Sequence, residues 1–304
     1  MAIDAQTFTR GARANLLQGV KAAPREWRQF CEVVSSDTQD ETYDSFNAAG
    51  RVTQDLGAGF TVENGVRYNY TITNQTFTLA IGVSRDALDD DKLGAFTNQI
   101  KTLGVRMGNH PFERAMTVLT TGDANAAFDS SNFFANSHND FTTLDNSLTS
   151  VAAAADAVPT LAELEIEWAK ITAAFLEFED RSGANVHYDG LGSMWLLTGP
   201  QLKAVGRKML NGALTTNGQT QIFQNDAQLM TLPANHMQDT SVQKEIITLL
   251  TNEVIKPLVL QERSAIADKT WENDTSRTIY FGAESRFTVG YGNPAAAIHH
   301  VFTT

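Results

Sequence analysis

Residues 62–83 read VENGVRYNYTITNQTFTLAIGV, and their pattern of turn residues and alternating side chains is the most informative in the chain. The Asn-Gly pair at 64–65 tolerates the positive φ values that a type I′ turn requires. Apolar and polar side chains alternate over residues 66–72, and a second alternating run covers residues 77–83. A period of two is typical of β-strands. The pattern therefore predicts a long β-hairpin over residues 58–83.

A hairpin of this length is expected to need a partner. A strand of about a dozen residues spans roughly 40 Å at about 3.3 Å per residue. Two strands alone are only marginally stable in water, so a projecting hairpin must lie on a neighbour. We expect that neighbour to be another subunit. The candidate contact residues are Asn64, Gly65, Val66, Tyr68 and Tyr70.

Two helices are well marked in the sequence. Residues 89–121 carry apolar side chains at spacings of three and four, which predicts one helix about 45 Å long with a kink at Pro111. Thr160 and Glu163 have the spacing of a capping box. The apolar stripe that follows them, over residues 161–178, predicts a helix packed on the core.

The remaining elements alternate irregularly between strand and helix. The sequence predicts a buried strand at 194–197, a helix from Gly199-Pro200 to Leu210, strands near 245–250 and 257–262, and a final hairpin with arms 278–283 and 286–291. This order favours an α+β fold over a regular βαβ array.

The charge is negative overall and positive at the N-terminus. The 304 residues carry a net charge of −12, which argues against a primary nucleic-acid binder. Residues 1–30 instead have a surplus of three positive charges. They are either a solvated amphipathic helix or an arm that docks on an acidic neighbour. The candidate docking residues are Arg10, Arg13, Arg25 and Arg28.

No pattern in the sequence indicates catalysis, a cofactor or a metal. The motifs G-x-S-x-G, Walker A and H-E-x-x-H are missing, and the single cysteine, Cys31, excludes an internal disulfide. Residues 290–295 match G-x-G-x-x-A but contain Pro294 and are not followed by a βαβ unit, so we do not expect dinucleotide binding. Residues 137–140 place a serine, a histidine and an aspartate side by side, which predicts a loop cap rather than a catalytic triad.

Histidines, tryptophans and apolar runs have ordinary interpretations. His299 and His300 are predicted to be surface or edge-strand residues. The four tryptophans are predicted to lie in the core. No stretch reaches about 18 consecutive apolar residues, so we expect a soluble protein made in the cytosol, with no membrane partner.

Five segments resemble, in order, the motifs of one protein family. They are YTITNQTF at 70–77, VSRDALDDDKLG at 83–94, Phe133-Phe134 with His138, KPLVLQ at 256–261 and RFTVGYG at 286–292. The family is the major head (capsid) subunit of Mu-like tailed phages and prophages. Leu88 and Asp89 stand where this family usually has isoleucine and glutamate, and residues 180–245 contain few matches.

The resemblance implies the tailed-phage major capsid protein fold, an α+β fold with extended appendages. The expected parts are an N-terminal arm (1–51), an extended β-hairpin loop (52–83), a peripheral domain with a long spine helix (84–184), an axial domain (185–255) and return strands of the peripheral domain (256–304).

The resemblance also implies a structural function. We expect a protein that self-assembles through hexameric and pentameric capsomers into an icosahedral head enclosing double-stranded DNA, without sequence-specific binding. Scaffold, maturation protease, portal and any decoration proteins are expected to be separate chains, and assembly is expected in the bacterial cytoplasm before the protein resides in the virion. No lysine lies between Arg51 and Arg85, so we expect no lysine–asparagine cross-link from the hairpin.

Two other functions stay open at the level of sequence. The first is a shell protein of a bacterial cargo nanocompartment, which would have the same fold. The second is a soluble α+β enzyme, which would need an enclosed pocket with catalytic groups.

Overall fold

The structure is a computed structural model, and it describes residues 5–44, 66–89, 93–151, 158–187, 190–212, 221–237, 244–251, 255–273, 275 and 277–303. The helices are α1 (Ala5–Ala22), α2 (Arg85–Asp89), α3 (Leu93–Thr120), α4 (Leu161–Glu177) and α5 (Lys203–Asn211).

The strands fall into two large sheets and two short pairs. They are β1 (Cys31–Ser35), β2 (Asp40–Tyr43), β3 (Tyr70–Thr73), β4 (Gln75–Ser84), β5 (Phe141–Thr143), β6 (Ser147–Val151), β7 (Glu179–Asp180), β8 (Met194–Thr198), β9 (Ala227–Thr231), β10 (Glu245–Leu250), β11 (Leu258–Asn273), β12 (Thr278–Tyr291) and β13 (Ala297–Thr303). Strands mix with helices in the irregular order that the sequence predicted, so the fold class is α+β.

The first large sheet has four strands in the order β1-β11-β12-β4. Strands β11 and β12 form a long antiparallel ribbon, with Leu258 opposite Tyr291 at one end and Asn273 opposite Thr278 at the other. Helices α1 and α3 cover this sheet. Ile100, Leu103 and Met107 of α3 pack with Phe281 in a separate buried cluster.

Glycines allow α1 to lie directly on α3. A Cβ atom at Gly19 would collide with the carbonyl oxygen of Lys101, and a Cβ atom at Gly104 would collide with that of Leu16. The two backbones are therefore in contact, closer than helices with larger side chains can come. This contact places the N-terminal arm on the long helix of its own chain.

The second large sheet has five strands in the order β6-β13-β10-β8-β9. Strands β8 and β10 are buried along their whole length, because both faces of the sheet are covered there. On one face, Leu196 and Ile246 pack against Trp168 and other residues of α4 and α5. On the other face, Trp195 and Ile247 pack against a cluster that includes the C-terminal half of α3.

Several predicted elements are confirmed. The long helix α3 begins at Leu93 and continues through Pro111 to Thr120; its kink stays a prediction. The capping box is present, with the Thr160 N–H donating to Glu163 Oε2 at 2.7 Å. The buried strands at β8 and β10 also lie where the sequence placed them. Helix α5, in contrast, begins at Lys203, after a turn that contains Pro200.

The predicted hairpin differs from the structure in its pairing. Strand β3 pairs with β2, far upstream of the Asn-Gly pair at 64–65, and that pair lies outside the described residues. Residues 75–84 are not a hairpin arm, because they pair with β12 in the four-stranded sheet. Asn74 ends β3: it is buried, and its Nδ2 donates to Ser36 Oγ at 2.8 Å and to the Thr38 carbonyl at 2.9 Å. Apolar and polar side chains alternate both in a projecting hairpin and in a strand of a larger sheet. The alternation therefore could not identify the partner strand.

The predicted C-terminal hairpin is wrong. Residues 278–291 form one strand, and the hairpin partner is β11. The buried side chains recur at every second position through the supposed turn, at Ile279, Phe281, Ala283, Ser285, Phe287, Val289 and Tyr291. A turn would have broken that period.

The predicted domain boundaries also differ from the sheets that form. Strand β13 belongs to the five-stranded sheet, so residues 256–304 are shared between the two sheets. Helix α4, which lies within residues 84–184, packs on the five-stranded sheet rather than beside α3. Three tryptophans are buried as predicted, but Trp271 is 42% exposed and stacks on Tyr280 at 5.3 Å.

The contact between α1 and α3 predicts opposite effects for two glycine substitutions. Gly104→Ala should lower the free energy of unfolding by about 1–3 kcal/mol, because the new methyl group has no space. Gly11→Ala in α1 should raise it by about 0.5–1 kcal/mol, since a Cβ there meets no atom within 4 Å. Urea denaturation of the isolated subunit measures both. Equal or greater stability of Gly104→Ala would contradict the close approach.

Candidate functional site

The N-terminal arm uses two of its candidate arginines within the chain. Arg13 Nε lies 3.1 Å from Asp268 Oδ1, and Arg28 Nη2 lies 2.6 Å from Glu262 Oε1. Both acidic partners belong to β11. Arg13 and Arg28 therefore have acidic partners within the chain, and their docking on another subunit stays a prediction. Because such exposed pairs contribute only about 0–1 kcal/mol each, they orient the arm more than they stabilise it.

The other two arm arginines are exposed. Arg10 lies on α1, and Arg25 follows Pro24 at the end of the arm helix. Their role in contacts between subunits stays a prediction.

The paired strands β2 and β3, called the hairpin base below, are fastened to the first residues of β11 and the last residues of β12. Tyr43 Oη donates to Gln261 Oε1 at 3.1 Å, and the Tyr291 N–H donates to Tyr70 Oη at 3.0 Å. Burial raises the pKa of Tyr70 to about 12, so its hydroxyl stays neutral. Ile72 lies so close to Gly290 that a Cβ there would collide with it.

The two tyrosines predicted as contact residues have partners within the chain, and their role in contacts between subunits stays a prediction. Besides Tyr70, Tyr68 donates to Asp140 Oδ1 at 3.3 Å and stands edge-on to Phe128 at 5.7 Å. Val66 is half-buried, and Asn64 and Gly65 lie outside the described residues.

The adjacent histidines are buried, which corrects the prediction that they lie at a surface or edge. His299 is 2% exposed and His300 is 0% exposed. Strand β13 lies inside the sheet, between β10 and β6, because residues 147–151 add a strand on its outer side. The two side chains point to opposite faces of that sheet, as neighbours on a strand must.

His299 is held between two carboxylates. Its Nδ1 lies 3.2 Å from Asp123 Oδ1, and its Nε2 lies 3.0 Å from Glu245 Oε2. Burial alone would lower the pKa of His299, but the hydrogen bonds and charges of Asp123 and Glu245 outweigh it and raise that pKa to about 9. At neutral pH the imidazolium therefore ties the loop after α3 to β10 and β13.

His300 makes a different connection on the opposite face. Its Nε2 lies 3.1 Å from Glu167 Oε2, and Glu167 also accepts from Lys170 Nζ at 2.8 Å. Burial lowers the pKa of His300 to about 4, although the negative charge of Glu167 acts to raise it. His300 is therefore neutral at pH 7, and its Nε2–H donates to the carboxylate. This bond fastens α4 to the sheet.

A third buried histidine fixes the turn at Phe133-Phe134. His138 Nδ1 lies 3.1 Å from Asp129 Oδ2, and its Nε2 lies 3.2 Å from Asn146 Oδ1. Asn146 Nδ2 in turn donates to the carbonyls of Phe133 at 2.8 Å and Pro294 at 3.0 Å. Burial would raise the pKa of Asp129, but the hydrogen bonds from His138, Ser131 and Asn139 hold it below its usual value.

This arrangement supports the prediction of a loop cap at residues 137–140. His138 pairs with Asp129 rather than with a serine, and Ser137 is exposed. Among the described residues, no three His, Cys, Asp or Glu side chains are placed to hold a metal ion. No helix within the described ranges is long and apolar enough to cross a lipid bilayer.

The partners of the buried histidines were not predicted from the sequence. One signal was available: Glu245 opens the apolar run EIITLL, and a carboxylate in a fully buried strand needs a charged or hydrogen-bonding partner. Asp123 and Glu167 gave no comparable signal, because they lie in a turn and on an amphipathic helix.

The part of the chain that contains the arm, the hairpin base and α3 matches a known family. Residues 5–162, about half of the chain, match the family described as Mu-like prophage major head subunit gpT. The chain belongs to this family. It is a structural family of head subunits and not a family of enzymes.

Two curated relatives carry corresponding names. The major capsid protein of Escherichia phage Mu is 28% identical over 126 residues, which are 41% of each chain. The Mu-like prophage FluMu major head subunit of Haemophilus influenzae is 27% identical over 128 residues, 42% of this chain and 41% of that one. The matched segment thus spans less than half the length of either relative.

Solved capsid structures share the fold over nearly the whole chain. A chain of the bacteriophage JBD30 procapsid superposes with a TM-score of 0.55 at 18% identity, covering 99% of this chain and 77% of that one. The mature capsid of bacteriophage PhiM1 superposes with a TM-score of 0.61 at 13% identity, covering 92% of this chain and 88% of that one. A virus-like particle from Pyrococcus furiosus superposes with a TM-score of 0.55 at 12% identity, covering 96% of this chain and 99% of that one. The expected tailed-phage major capsid protein fold is confirmed.

The raised pKa of His299 predicts how stability depends on pH. A histidine that binds its proton more tightly when folded contributes stability that is fully present below about pH 6.5 and is lost as the pH rises through about 9. This contribution is on the order of a few kcal/mol. In His299→Gln, the fall in unfolding free energy between pH 6.5 and 9 should therefore become much smaller.

Urea denaturation at a series of pH values tests this prediction. His236→Gln is the matched control, because His236 is half-buried and lies outside the sheet. The control should keep the slope of the wild-type protein. Parallel curves for His299→Gln and the wild-type protein would show that His299 is not charged in the fold.

Proposed function

We propose that this chain is the structural subunit of a phage head and self-assembles into an icosahedral shell around double-stranded DNA. The observation that carries the proposal is the match of residues 5–162 to the head-subunit family. That segment contains the arm, the hairpin base and the long helix, which are the parts that extend along the four-stranded sheet. The shared capsid fold over the rest of the chain supports the same function.

The two sheets correspond to the two domains of the proposed subunit. The four-stranded sheet with α1 and α3 is the peripheral domain, and α3 is its spine helix. The five-stranded sheet with α4 and α5 is the axial domain, which lies near the symmetry axis of hexameric and pentameric capsomers. The chain between β2 and β3 contains the proposed extended loop, and residues 45–65 of it lie outside the described residues.

The charge of the chain suits a container for DNA. A net charge of −12 repels phosphates, so packaged DNA does not adhere to the shell wall and no sequence is read. Scaffold, maturation protease, portal and any decoration proteins are separate chains in this proposal. Assembly takes place in the cytoplasm of the bacterial host, and the finished protein resides in the virion.

The alternative functions have less support. A cargo nanocompartment would share the fold, but the family match is to phage head subunits. An enzyme would need catalytic groups in a pocket, whereas the buried histidines of this chain are bound to structural partners.

A truncated hairpin tests the proposed function. Asp44 accepts a hydrogen bond from the Tyr68 N–H at 2.8 Å, so the chain is closely paired at that level. Residues 45–66 can therefore be replaced by Gly-Asn-Gly without disturbing β2 and β3. We expect a folded subunit with an unchanged melting temperature that forms no particles, because it has lost its extended contact with a neighbour.

Negative-stain electron microscopy and sedimentation give the result. The full-length chain is the control, expressed alone and together with the scaffold gene of the same phage, and it should form closed shells. Shells of normal size from the truncated chain would contradict the role of the hairpin. Failure of the full-length chain under both conditions would contradict the head-subunit function itself.

A further inference from the structure

Helix α4 is apolar on two faces. Leu164, Trp168, Ile171 and Phe175 face the five-stranded sheet and are fully buried. A second set recurs at spacings of four, three, four and three on nearly the opposite face, and all its members are exposed. This outer stripe consists of Ala162, Ile166, Ala169, Ala173 and Leu176.

The outer stripe is unusual for the surface of a subunit. A helix that packs on a sheet normally presents polar residues on its other face. Here Ile166 is 57% exposed and Leu176 is 47% exposed. Ile222 is 76% exposed and belongs to a segment fastened to α4, because Gln221 Nε2 donates to Glu165 Oε1 at 2.6 Å. Single exposed apolar residues are common, but a continuous stripe marks a contact surface.

The composition of the stripe fits another helix as its partner. Three of its five residues are alanines, which let two helix axes approach closely, and the spacing of three and four is that of helix–helix seams. Acidic side chains border it: Glu163, Glu165 and Glu177 are only partly buried or exposed, and Lys170 is the one basic residue of α4.

Helix α5, in the same helix layer, has the complementary charge. Its exposed face carries Lys203, Arg207 and Lys208, and its sequence contains no acidic residue. Its buried residues, Met209 and Leu210, share the core cluster of α4. One subunit thus presents an acidic helix with an apolar stripe and, beside it, a basic helix.

We propose that the outer stripe of α4 docks on the basic face of α5 in a second copy of this chain. The two surfaces differ, so the contact is head-to-tail, and contacts of this kind close into a ring when the rotation between neighbouring subunits divides a full turn. The glutamates that border the stripe face Lys203, Arg207 and Lys208 of the next subunit, which sets the register. The inference rests on the proposed function, since such a ring is a capsomer.

Charge reversal with rescue tests the pairing. In one variant, Lys203, Arg207 and Lys208 are replaced by glutamate, and in a second, Glu165→Lys and Glu177→Lys are combined. Each variant alone should give at least tenfold fewer particles than the wild-type protein, because like charges then face each other. The variant that carries all five substitutions should regain particles, because the charges are complementary again.

A cross-link provides a second and independent measurement. Cys31 is buried and burial raises its pKa to about 12, so it does not react. A chain with Ile166→Cys and Ala204→Cys should form, on mild oxidation, covalent multimers that end at five or six subunits. Either cysteine alone should form none.

A charge control accompanies the charge-reversed variants. Val33→Lys, at an apolar residue of β1 that is 47% exposed, controls for a general effect of a new charge and should assemble normally.

Each outcome bears on the inference. Normal particles from both charge-reversed variants would overturn the docking while leaving the proposed function intact. Loss of particles in the α4 variant alone, with a normal α5 variant, would show that a different protein covers the stripe and would overturn the pairing. Folded single variants without rescue in the combined chain would overturn it as well. No particles from the wild-type chain would overturn the proposed function and the inference together.

Discussion

The structure depends on the burial of the C-terminal half of α3 between two sheets. Ala115, Met116 and Leu119 are fully buried and belong to one cluster with side chains of both sheets. Tyr291 completes this contact: it stacks on Phe133 at 4.7 Å and donates to the Val118 carbonyl at 2.8 Å. Because close-packed interiors tolerate little displacement, this one helix end sets where the sheets lie relative to each other.

Much of the fold could be predicted from local patterns in the sequence. The errors in the predicted strands share one cause. Spacing and caps identified α3 and α4, since both signals are contained within a single helix. Strand pairing is not local. The alternation over residues 77–83 predicted a strand, but its partner β12 lies about two hundred residues away, and nothing in the alternation names it. The split of residues 278–291 into two arms came from reading Glu284-Ser285 as a turn.

The polar interior was harder to predict than the apolar core. A stripe of leucines predicts its own burial, whereas the place of His299 depends on Asp123 and Glu245, which come from two other parts of the chain. Arg28 is predicted to dock on an acidic neighbour. In the structure its acidic partner, Glu262, is in the same subunit, and a contact with another subunit stays a prediction. Charge surplus shows that a segment needs an opposite charge and does not show which chain supplies it.

The attachment of β2 and β3 to the four-stranded sheet has a mechanical consequence. Among the described residues, β2 and β3 pair over only four positions, but Tyr43, Tyr70 and Ile72 fix them to the first residues of β11 and the last residues of β12. A force applied to the ends of β2 and β3 is therefore carried into the long ribbon of β11 and β12, which α3 covers, instead of falling on the short pair alone. Because β11 and β12 belong to the four-stranded sheet, the load is shared by the many hydrogen bonds of that sheet and not only by those of the short pair.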